Sequence, residues 1–210
     1  MTRALEGRRP RNEIGKRRKN LLANYLIITD TQQTEKNYIR GLKESLPKQI
    51  RERIQIRIID NVRTKELIEK ADSERAKNPQ YSETWLLFDR DKVPNFDGII
   101  EEANSKGIRV GWSNPCIEIW LLAYWGCMNT YADSGQCVSA FKRKFKQKTG
   151  IEYTKALKDI YQKLTTYGNE QTAIKTACDR FKSNEAKKPS QMDSTTTMYL
   201  LVDAIKATIT

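Results

Sequence analysis

Short apolar runs alternate with amphipathic segments along residues 24–125, and this alternation constrains the fold more than any other feature of the sequence. The apolar runs have the length and composition of β-strands and lie at residues 24–29, 53–60, 84–89 and 108–112. The intervening segments place apolar residues at helical spacing and lie at residues 34–46, 64–77 and 96–107. Strands and helices in alternation, joined by short connections, predict an α/β domain with a mostly parallel sheet.

The alternation of predicted strands and helices ends at residue 125. Residues 114–125 open with Pro115 and are apolar enough for a largely buried helix. No strand signal follows Gly126; candidate helices lie near residues 138–147, 154–167, 172–181 and 195–207. The sequence therefore predicts a division into a basic N-terminal arm at residues 1–22, an α/β catalytic domain at 23–126 and a helical C-terminal extension at 127–210.

Several residue types and motifs are missing, and their absence narrows the chemistry. The chain has no histidine, which excludes Ser-His and Cys-His triads and histidine metal ligands. Its four cysteines form no C-x-x-C pair, so a zinc site of the usual spacing is not expected. There is no G-x-x-x-x-G-K-[ST] nucleotide-binding loop. Catalysis in this chain would have to use carboxylates, lysines, tyrosines or a hard metal held by oxygen atoms.

The net charge is +12, and residues 1–20 supply about half of it with eight basic residues and two acids. Such an arm favours a nucleic-acid partner, with solubility alone as the alternative. No apolar run is long enough to cross a membrane and no secretory signal is present, so we expect a cytoplasmic protein that does not bind membranes. The candidate nucleic-acid-binding residues of the arm are Arg8, Arg9, Arg11, Lys16, Arg17, Arg18 and Lys19.

Acidic residues follow two of the predicted strands. Asp30 and Glu35 come after the first strand, and Asp89 and Asp91 come after the third. Because the carboxyl ends of parallel strands meet at one edge of a sheet, these acids converge there if the two strands are neighbours. A divalent cation would relieve their repulsion, and carboxylates without imidazole favour Mg²⁺ or Mn²⁺. Taken singly, Asp30 could be a turn residue, and Glu35 could complement a helix dipole.

Glu118 lies within the apolar sequence "NPCIEIWLL". An unpaired carboxylate in such a segment is costly. Either Glu118 pairs with a nearby lysine or arginine, or it joins the acidic site.

Several segments, in order and spacing, resemble the RloB-like family of Toprim-fold proteins. They are "QTEKNYIRGL", "LLFDRDKVPNFD", "GIRVGWSNPCIEIWLL" and "KPSQMDSTTTMYLLVDAI". The resemblance runs from about Asn24 to the C-terminus, and "SNPCIEIWLL" is its most specific part. It implies a Toprim-like, mostly parallel sheet flanked by helices, with a C-terminal helical extension. It also implies a magnesium-dependent nuclease, with RNA such as tRNA favoured over DNA, that works with an ATPase partner in antiviral defence by abortive infection.

Carried onto this chain, the resemblance assigns catalytic roles to Glu35, Asp89, Asp91 and Glu118, and metal binding to Asp30, Glu35, Asp89 and Asp91. One position departs from the family, which usually has Glu-Gly after the first strand where this chain has Asp30-Thr31. Aspartate keeps the charge but has a shorter reach, and threonine lacks the conformational freedom of glycine.

Two other functions remain open from the sequence. In the first, the altered loop after the first strand marks a degenerate site, and the chain is a non-catalytic nucleic-acid-binding subunit of an ATPase complex. In the second, "LLFDRDKV" is the nucleophile motif of a phosphatase of the haloacid-dehalogenase type. That reading requires an acidic pair after a later strand, and no convincing pair is present.

Overall fold

The computed structural model describes residues 23–31, 33–91 and 93–209, so the basic arm and its candidate nucleic-acid-binding residues lie outside the described part. A five-stranded sheet with the order β2-β1-β3-β4-β5 forms its centre. Its first four strands pair in parallel, and β5 pairs antiparallel to β4. The strands are β1 (Ala23–Thr29), β2 (Ile54–Ile59), β3 (Glu83–Asp89), β4 (Arg109–Asn114) and β5 (Thr195–Thr196).

Helices connect the parallel strands and form the C-terminal region. Between the strands lie α1 (Thr34–Ser45), α2 (Lys48–Arg51), a 3-10 turn (Thr64–Glu66), α3 (Leu67–Lys77) and α4 (Phe96–Ser105). After β4 come α5 (Glu118–Ala123), α6 (Ser134–Thr149), α7 (Ile160–Tyr167), α8 (Glu170–Asn184) and α9 (Met198–Lys206). Short 3-10 segments lie at Pro189–Gln191 and Ala207–Ile209. The predicted α/β architecture, with a mostly parallel sheet flanked by helices and helices at the C-terminal end, is confirmed.

The sheet is buried on both faces, which explains why its central strands are apolar throughout. Alternate residues of β1 and β3 point to opposite sides, so Ile28 and Phe88 pack with α3 and α4. Ile27 and Trp85 pack on the other side with α1, α5 and the C-terminal helices. The second layer is the larger one, and it ties the C-terminal helices to the sheet.

Two local expectations were wrong. A strand does follow Gly126: β5 consists of Thr195 and Thr196, and it completes the edge of the sheet beside β4. The helix predicted to open at Pro115 begins only at Glu118, because β4 continues to Asn114. Neither polar side chain at the end of β4 caps that helix. Ser113 Oγ lies 3.0 Å from Thr196 Oγ1, and Asn114 donates to main-chain oxygens of residues 189 and 190.

Within the described residues, no helix is both long and apolar enough to cross a membrane.

Candidate functional site

The carboxyl ends of β1 and β3 place two acids side by side. Asp30 is the first residue after β1, and Asp89 is the last residue of β3. These strands are direct neighbours, with Thr29 paired to Leu87. The Asp30 amide donates to the Leu87 carbonyl oxygen at 3.4 Å, which continues the strand pairing to the edge itself. The edge geometry thus brings the Asp30 and Asp89 carboxyl groups to one place.

Two helices add a glutamate each. Glu35 lies in the first turn of α1, which follows β1 after a short connection, and Glu118 is the first residue of α5, which follows β4. Glu35 is 2% exposed and Glu118 is fully buried. Four of the five acids singled out in the sequence are therefore within electrostatic reach of one another: Asp30, Glu35, Asp89 and Glu118.

Hydroxyl groups hold three of these carboxylates by one oxygen atom each. Thr64 Oγ1 donates to Asp30 Oδ2 at 2.9 Å, and the Thr31 hydroxyl donates to Glu35 Oε2. Tyr153 Oη donates to Glu118 Oε1 at 3.0 Å. The other oxygen of each group is buried without a hydrogen-bond partner among the described residues: Asp30 Oδ1, Glu35 Oε1 and Glu118 Oε2.

Burial favours the protonated forms of Asp30, Glu35 and Asp89, and the charges of neighbouring acids add to this for Glu35 and Asp89. Burial is the main reason that the pKa of Asp30 rises to about 6, opposed by the hydrogen bond from Thr64. Burial also raises the pKa of Glu35 to about 7; Thr31 opposes this shift, and the charges of Asp30 and Glu118 add to it. The pKa of Asp89 is raised well above its ordinary value by burial and then by its three acidic neighbours. Such perturbed groups at one edge indicate a functional site.

A cavity of about 270 Å³ opens onto the acids, and Glu35 and Asp89 line it. Lys155 is the basic residue in its lining; its side chain is exposed, and its charge lowers the pKa of Asp30. No ion pair joins any of the four acids to a lysine or arginine within the described ranges, so pairing of Glu118 with such a residue, left open by the sequence, does not occur there. No lysine or arginine of the described residues is ion-paired with these acids when they are ionised.

Asp91 is set apart from the other acids. It is exposed, and its Oδ1 accepts a hydrogen bond of 3.0 Å from Ser134 Oγ at the start of α6. The chain turns away after Asp89, and the Asp91 amide donates to the Pro115 carbonyl oxygen at 3.1 Å. Its assignment as a metal ligand stays a prediction, as do the assignments of the other four acids.

A sequence profile of the RloB-like protein family matches residues 25–205. The chain belongs to this family. Searches of curated proteins and of solved structures found no match to the chain.

Thr31 lies inside the acidic site. It donates its hydroxyl to Glu35, and Thr29 Oγ1 lies 3.2 Å from the Thr31 hydroxyl. The Thr31 hydroxyl therefore occupies one carboxylate oxygen of Glu35, a candidate metal ligand.

The residues of the RloB-like protein fit a hard divalent cation by donor chemistry. The buried oxygens without partners belong to carboxylates, the donors that magnesium and manganese prefer. The side chains do not form a complete coordination site. Across residues 23–31, 33–91 and 93–209, no group of three or more His, Cys, Asp or Glu is arranged to hold a metal ion.

Sequence reasoning missed three contributors to the site: Thr64, Tyr153 and Lys155. Thr64 was seen only as a helix start. Tyr153 and Lys155 belong to the segment between α6 and α7, far along the chain from the acids they face. No motif marks them, and only the folded chain brings them to the sheet edge.

Proposed function

We propose that this RloB-like protein is a metal-dependent nuclease that hydrolyses phosphodiester bonds at the carboxyl edge of its sheet. RNA such as tRNA is the favoured substrate over DNA. The observation that carries the proposal is the set of buried oxygens of Asp30, Glu35 and Glu118 that have neither a hydrogen-bond partner nor an ion pair among the described residues, beside an open cavity. A carboxylate cluster of this kind costs stability unless a cation neutralises it, and such a cost indicates a binding function.

The residues that would hold Mg²⁺ or Mn²⁺ are Asp30, Glu35 and Asp89, with Glu118 behind them and Asp91 at the outer rim. A bound divalent ion would activate water and stabilise the charge that develops on a phosphoryl group. The chain itself orients these ligands through the hydroxyls of Thr31 and Tyr153. Lys155, exposed at the cavity, would attract the phosphate that the acids alone would repel.

The wider role of the protein follows from its family and its charge. The net charge of +12 suits a polyanionic substrate in spite of the acidic site. The resemblance supports an effector subunit of a phage-defence system that acts with an ATPase partner in the cytoplasm.

A second candidate function is that of a non-catalytic nucleic-acid-binding subunit of the same kind of complex. The Thr31 hydroxyl on Glu35 favours it, because it occupies an oxygen that a metal ion would need. In that case the acids would be the remains of a site that no longer turns over.

The test is metal-dependent cleavage by the full chain, alone and co-purified with a candidate ATPase partner. Substrates are tRNA, single- and double-stranded RNA and DNA, each with magnesium, manganese or EDTA. We expect cleavage of RNA that needs the metal and is lost in Asp89→Asn. The matched control is Glu74→Gln, which removes a buried charge outside the site. If RNA binds but no substrate is cut even with the ATPase present, the non-catalytic function replaces the nuclease.

A further inference from the structure

Helix α6 carries a dense group of positive charges. Its 16 residues include no acid. Among the described residues, only Lys146 of this group forms an ion pair, with Glu152. The basic residues of the helix are Lys142, Arg143, Lys144, Lys146 and Lys148, and all but the half-buried Lys144 are exposed.

The apolar side of α6 is already used. Cys137, Phe141 and Phe145 are fully buried in the core, and Trp125 stacks on the Phe141 ring with centroids 6.0 Å apart. The helix therefore has no apolar face left for a lipid bilayer, which an interfacial membrane helix would require. Its outward face offers charge alone, and a polyanion in water is the complementary partner.

A groove of about 410 Å³ runs beside the basic face. Its lining includes Arg143, Lys144 and Gln147 of α6, together with Asn129 and Tyr131 from the segment before the helix. An aromatic ring next to guanidinium and amide groups is the arrangement that holds a nucleobase by stacking and polar contacts. The carboxylates of an acidic polypeptide would use only the positive charges, whereas a nucleotide can use the ring, the amides and the charges together, so the groove favours a polynucleotide.

The start of α6 contacts Asp91, which lies apart from the four clustered acids, and the segment after its end contacts one of the four. At its start, Ser134 Oγ donates to Asp91. After its end, the chain returns along the helix: Tyr153 packs edge-on against Phe141 with ring centroids 4.6 Å apart, and its hydroxyl donates to Glu118. These contacts use the buried side of α6, and the basic residues of the helix lie on its outward side.

We propose that α6 and the groove beside it bind a single-stranded stretch of polynucleotide, with phosphates on Lys142, Arg143 and Lys148 and one unpaired base against Tyr131. An unpaired base is required because a duplex keeps its bases stacked away from such a groove. The destination of the scissile phosphate at the acidic edge rests on the proposed nuclease function. Binding to α6 does not, and it can be measured without metal and without turnover.

The first experiment compares two triple variants of the full chain. One is Lys142→Gln/Arg143→Gln/Lys148→Gln on α6. The control, Lys175→Gln/Lys182→Gln/Lys187→Gln, removes the same charge from exposed lysines on and just after α8. Affinity for a mixed-sequence single-stranded RNA is measured in EDTA over a range of salt concentrations.

We expect the α6 variant to lower affinity and to make the slope of log K against log salt shallower by about two, since each phosphate contact with a single strand contributes about 0.7. The α8 control should keep the slope of the parent. Equal slopes in all three proteins would overturn the proposal. So would competition by polyglutamate as strong as that by RNA, because the surface would then bind any polyanion.

The second experiment separates the base from the phosphates. Tyr131→Leu removes the ring, and Tyr131→Phe keeps it. The backbone amide of residue 131 donates to Ser194 Oγ in either case, and the melting temperature checks the fold. We expect Tyr131→Leu to lose about tenfold in affinity with an unchanged salt slope, and Tyr131→Phe to bind like the parent. If Tyr131→Leu binds the RNA with the affinity of the parent, no base stacks on Tyr131 and that part of the proposal is wrong.

The outcomes distinguish this proposal from the nuclease function. If the α6 variant binds RNA poorly and the parent never cuts RNA, the binding surface on α6 is supported and the nuclease function is wrong. If the parent cuts RNA and the α6 variant binds and cuts it equally well, the nuclease stands and the surface falls. A parent that binds no single-stranded RNA in EDTA at any salt concentration refutes the surface.

Discussion

Buried acids have opposite surroundings in two regions of the molecule. One region is the outer edge of the sheet beside α3, and the other is the carboxyl edge of the sheet. Glu74 on α3 is 3% exposed, and three cations surround it: Lys77 at 3.0 Å, Lys70 at 3.2 Å and Arg57 at 2.9 Å. The Lys77 hydrogen bond is the main reason that its pKa is lowered. At the carboxyl edge, Glu35 and Glu118 are buried to a similar degree, yet they meet other acids and hydroxyl groups.

A second neutralised acid strengthens the contrast. Glu170 accepts hydrogen bonds from Tyr161 at 2.9 Å and Tyr124 at 3.3 Å, and Lys206 pairs with its other oxygen. A chain with this many lysines and arginines can supply cations to its buried carboxylates, and it does so at two places. The acids at the carboxyl edge are therefore not unpaired for lack of lysines and arginines in the chain. Their arrangement fits a cation from solution.

The largest expected effect comes from removing charge at the edge. Asp89→Asn should lower metal-dependent cleavage by about a hundredfold or more, because a charged group at the reacting centre is lost. In metal-free buffer the same variant should melt at a higher temperature than the parent, because it removes the cost of burying an acid whose pKa is raised by burial and then by the charges of Glu35 and Glu118. Cleavage rates and melting curves in EDTA are the measurements.

Glu74→Gln is the control for that variant, and its two readouts should move the other way. The melting temperature should fall, since three cations lose their partner, and cleavage by the folded fraction should stay unchanged. A fall in melting temperature for both variants would erase the difference between the two regions.

The next effect is the pH dependence of stability without metal. Burial raises the pKa of Asp30 from 3.8 to about 6 and that of Glu35 from 4.5 to about 7 in the folded protein. The unfolded chain therefore releases these protons at lower pH, and the free energy of unfolding falls as pH rises from about 4 to about 7. The contribution of Asp30 alone is roughly 3 kcal/mol.

Urea unfolding in EDTA across that pH range measures this effect. Glu35→Gln should flatten the decline, and Glu74→Gln should not, because the pKa of Glu74 is shifted in the opposite direction. A parent whose stability rises steadily over the same range would contradict the account of the edge.

These contrasts show what the sequence could reveal. The positions of Asp30 and Asp89 at strand ends were predictable from the apolar runs, whereas the direct pairing of β1 with β3 is known only from the structure. Glu118 was suspected because it interrupts an apolar helix. The cations around Glu74 could not be foreseen, since Arg57 comes from the neighbouring edge strand β2.

Other features of the edge depend on long-range packing. Tyr153 reaches Glu118 from a segment with no motif of its own. The strand β5 has only two residues, Thr195 and Thr196, too few to show an alternating pattern. Asp91 has the same spacing from Asp89 as two residues on one side of a strand, but β3 ends at Asp89 and the chain turns towards α6.

A third prediction concerns the metal itself. Millimolar magnesium or manganese should raise the melting temperature of the parent, because a ligand that binds only the folded form stabilises it by about 2.7 kcal/mol at a hundred times its Kd. Asp30→Asn should reduce this shift, and Asp30→Glu should keep or increase it by restoring the usual reach. The Asp30 Oδ1 oxygen, which is buried without a hydrogen bond, is the atom at issue.

Asparagine serves as well as aspartate in a turn, so a structural role for Asp30 would leave the shift unchanged in Asp30→Asn. The same shift in all three proteins would show that Asp30 is not a ligand. It would then favour the reduced or inactive site of the second candidate function.

The smallest expected effect tests the family departure at Thr31. Thr31→Val keeps the shape of the side chain but removes the hydroxyl that donates to Glu35 Oε2. Without metal, the variant should lose about 1–2 kcal/mol of unfolding free energy, because a buried carboxylate gives up a hydrogen bond. With metal, the sign should reverse: Glu35 then has both oxygens available, so the metal-induced rise in melting temperature should exceed that of the parent.

The control is Thr165→Val, which removes an exposed hydroxyl that donates to main-chain oxygens of α7. It should change neither the stability without metal nor the stabilisation by metal by more than about 0.5 kcal/mol. A metal-induced shift that shrinks in Thr31→Val would mean that Thr31 orients Glu35 for the metal. The threonine would then be an adaptation of a working site, and the argument that it marks a degenerate one would fail.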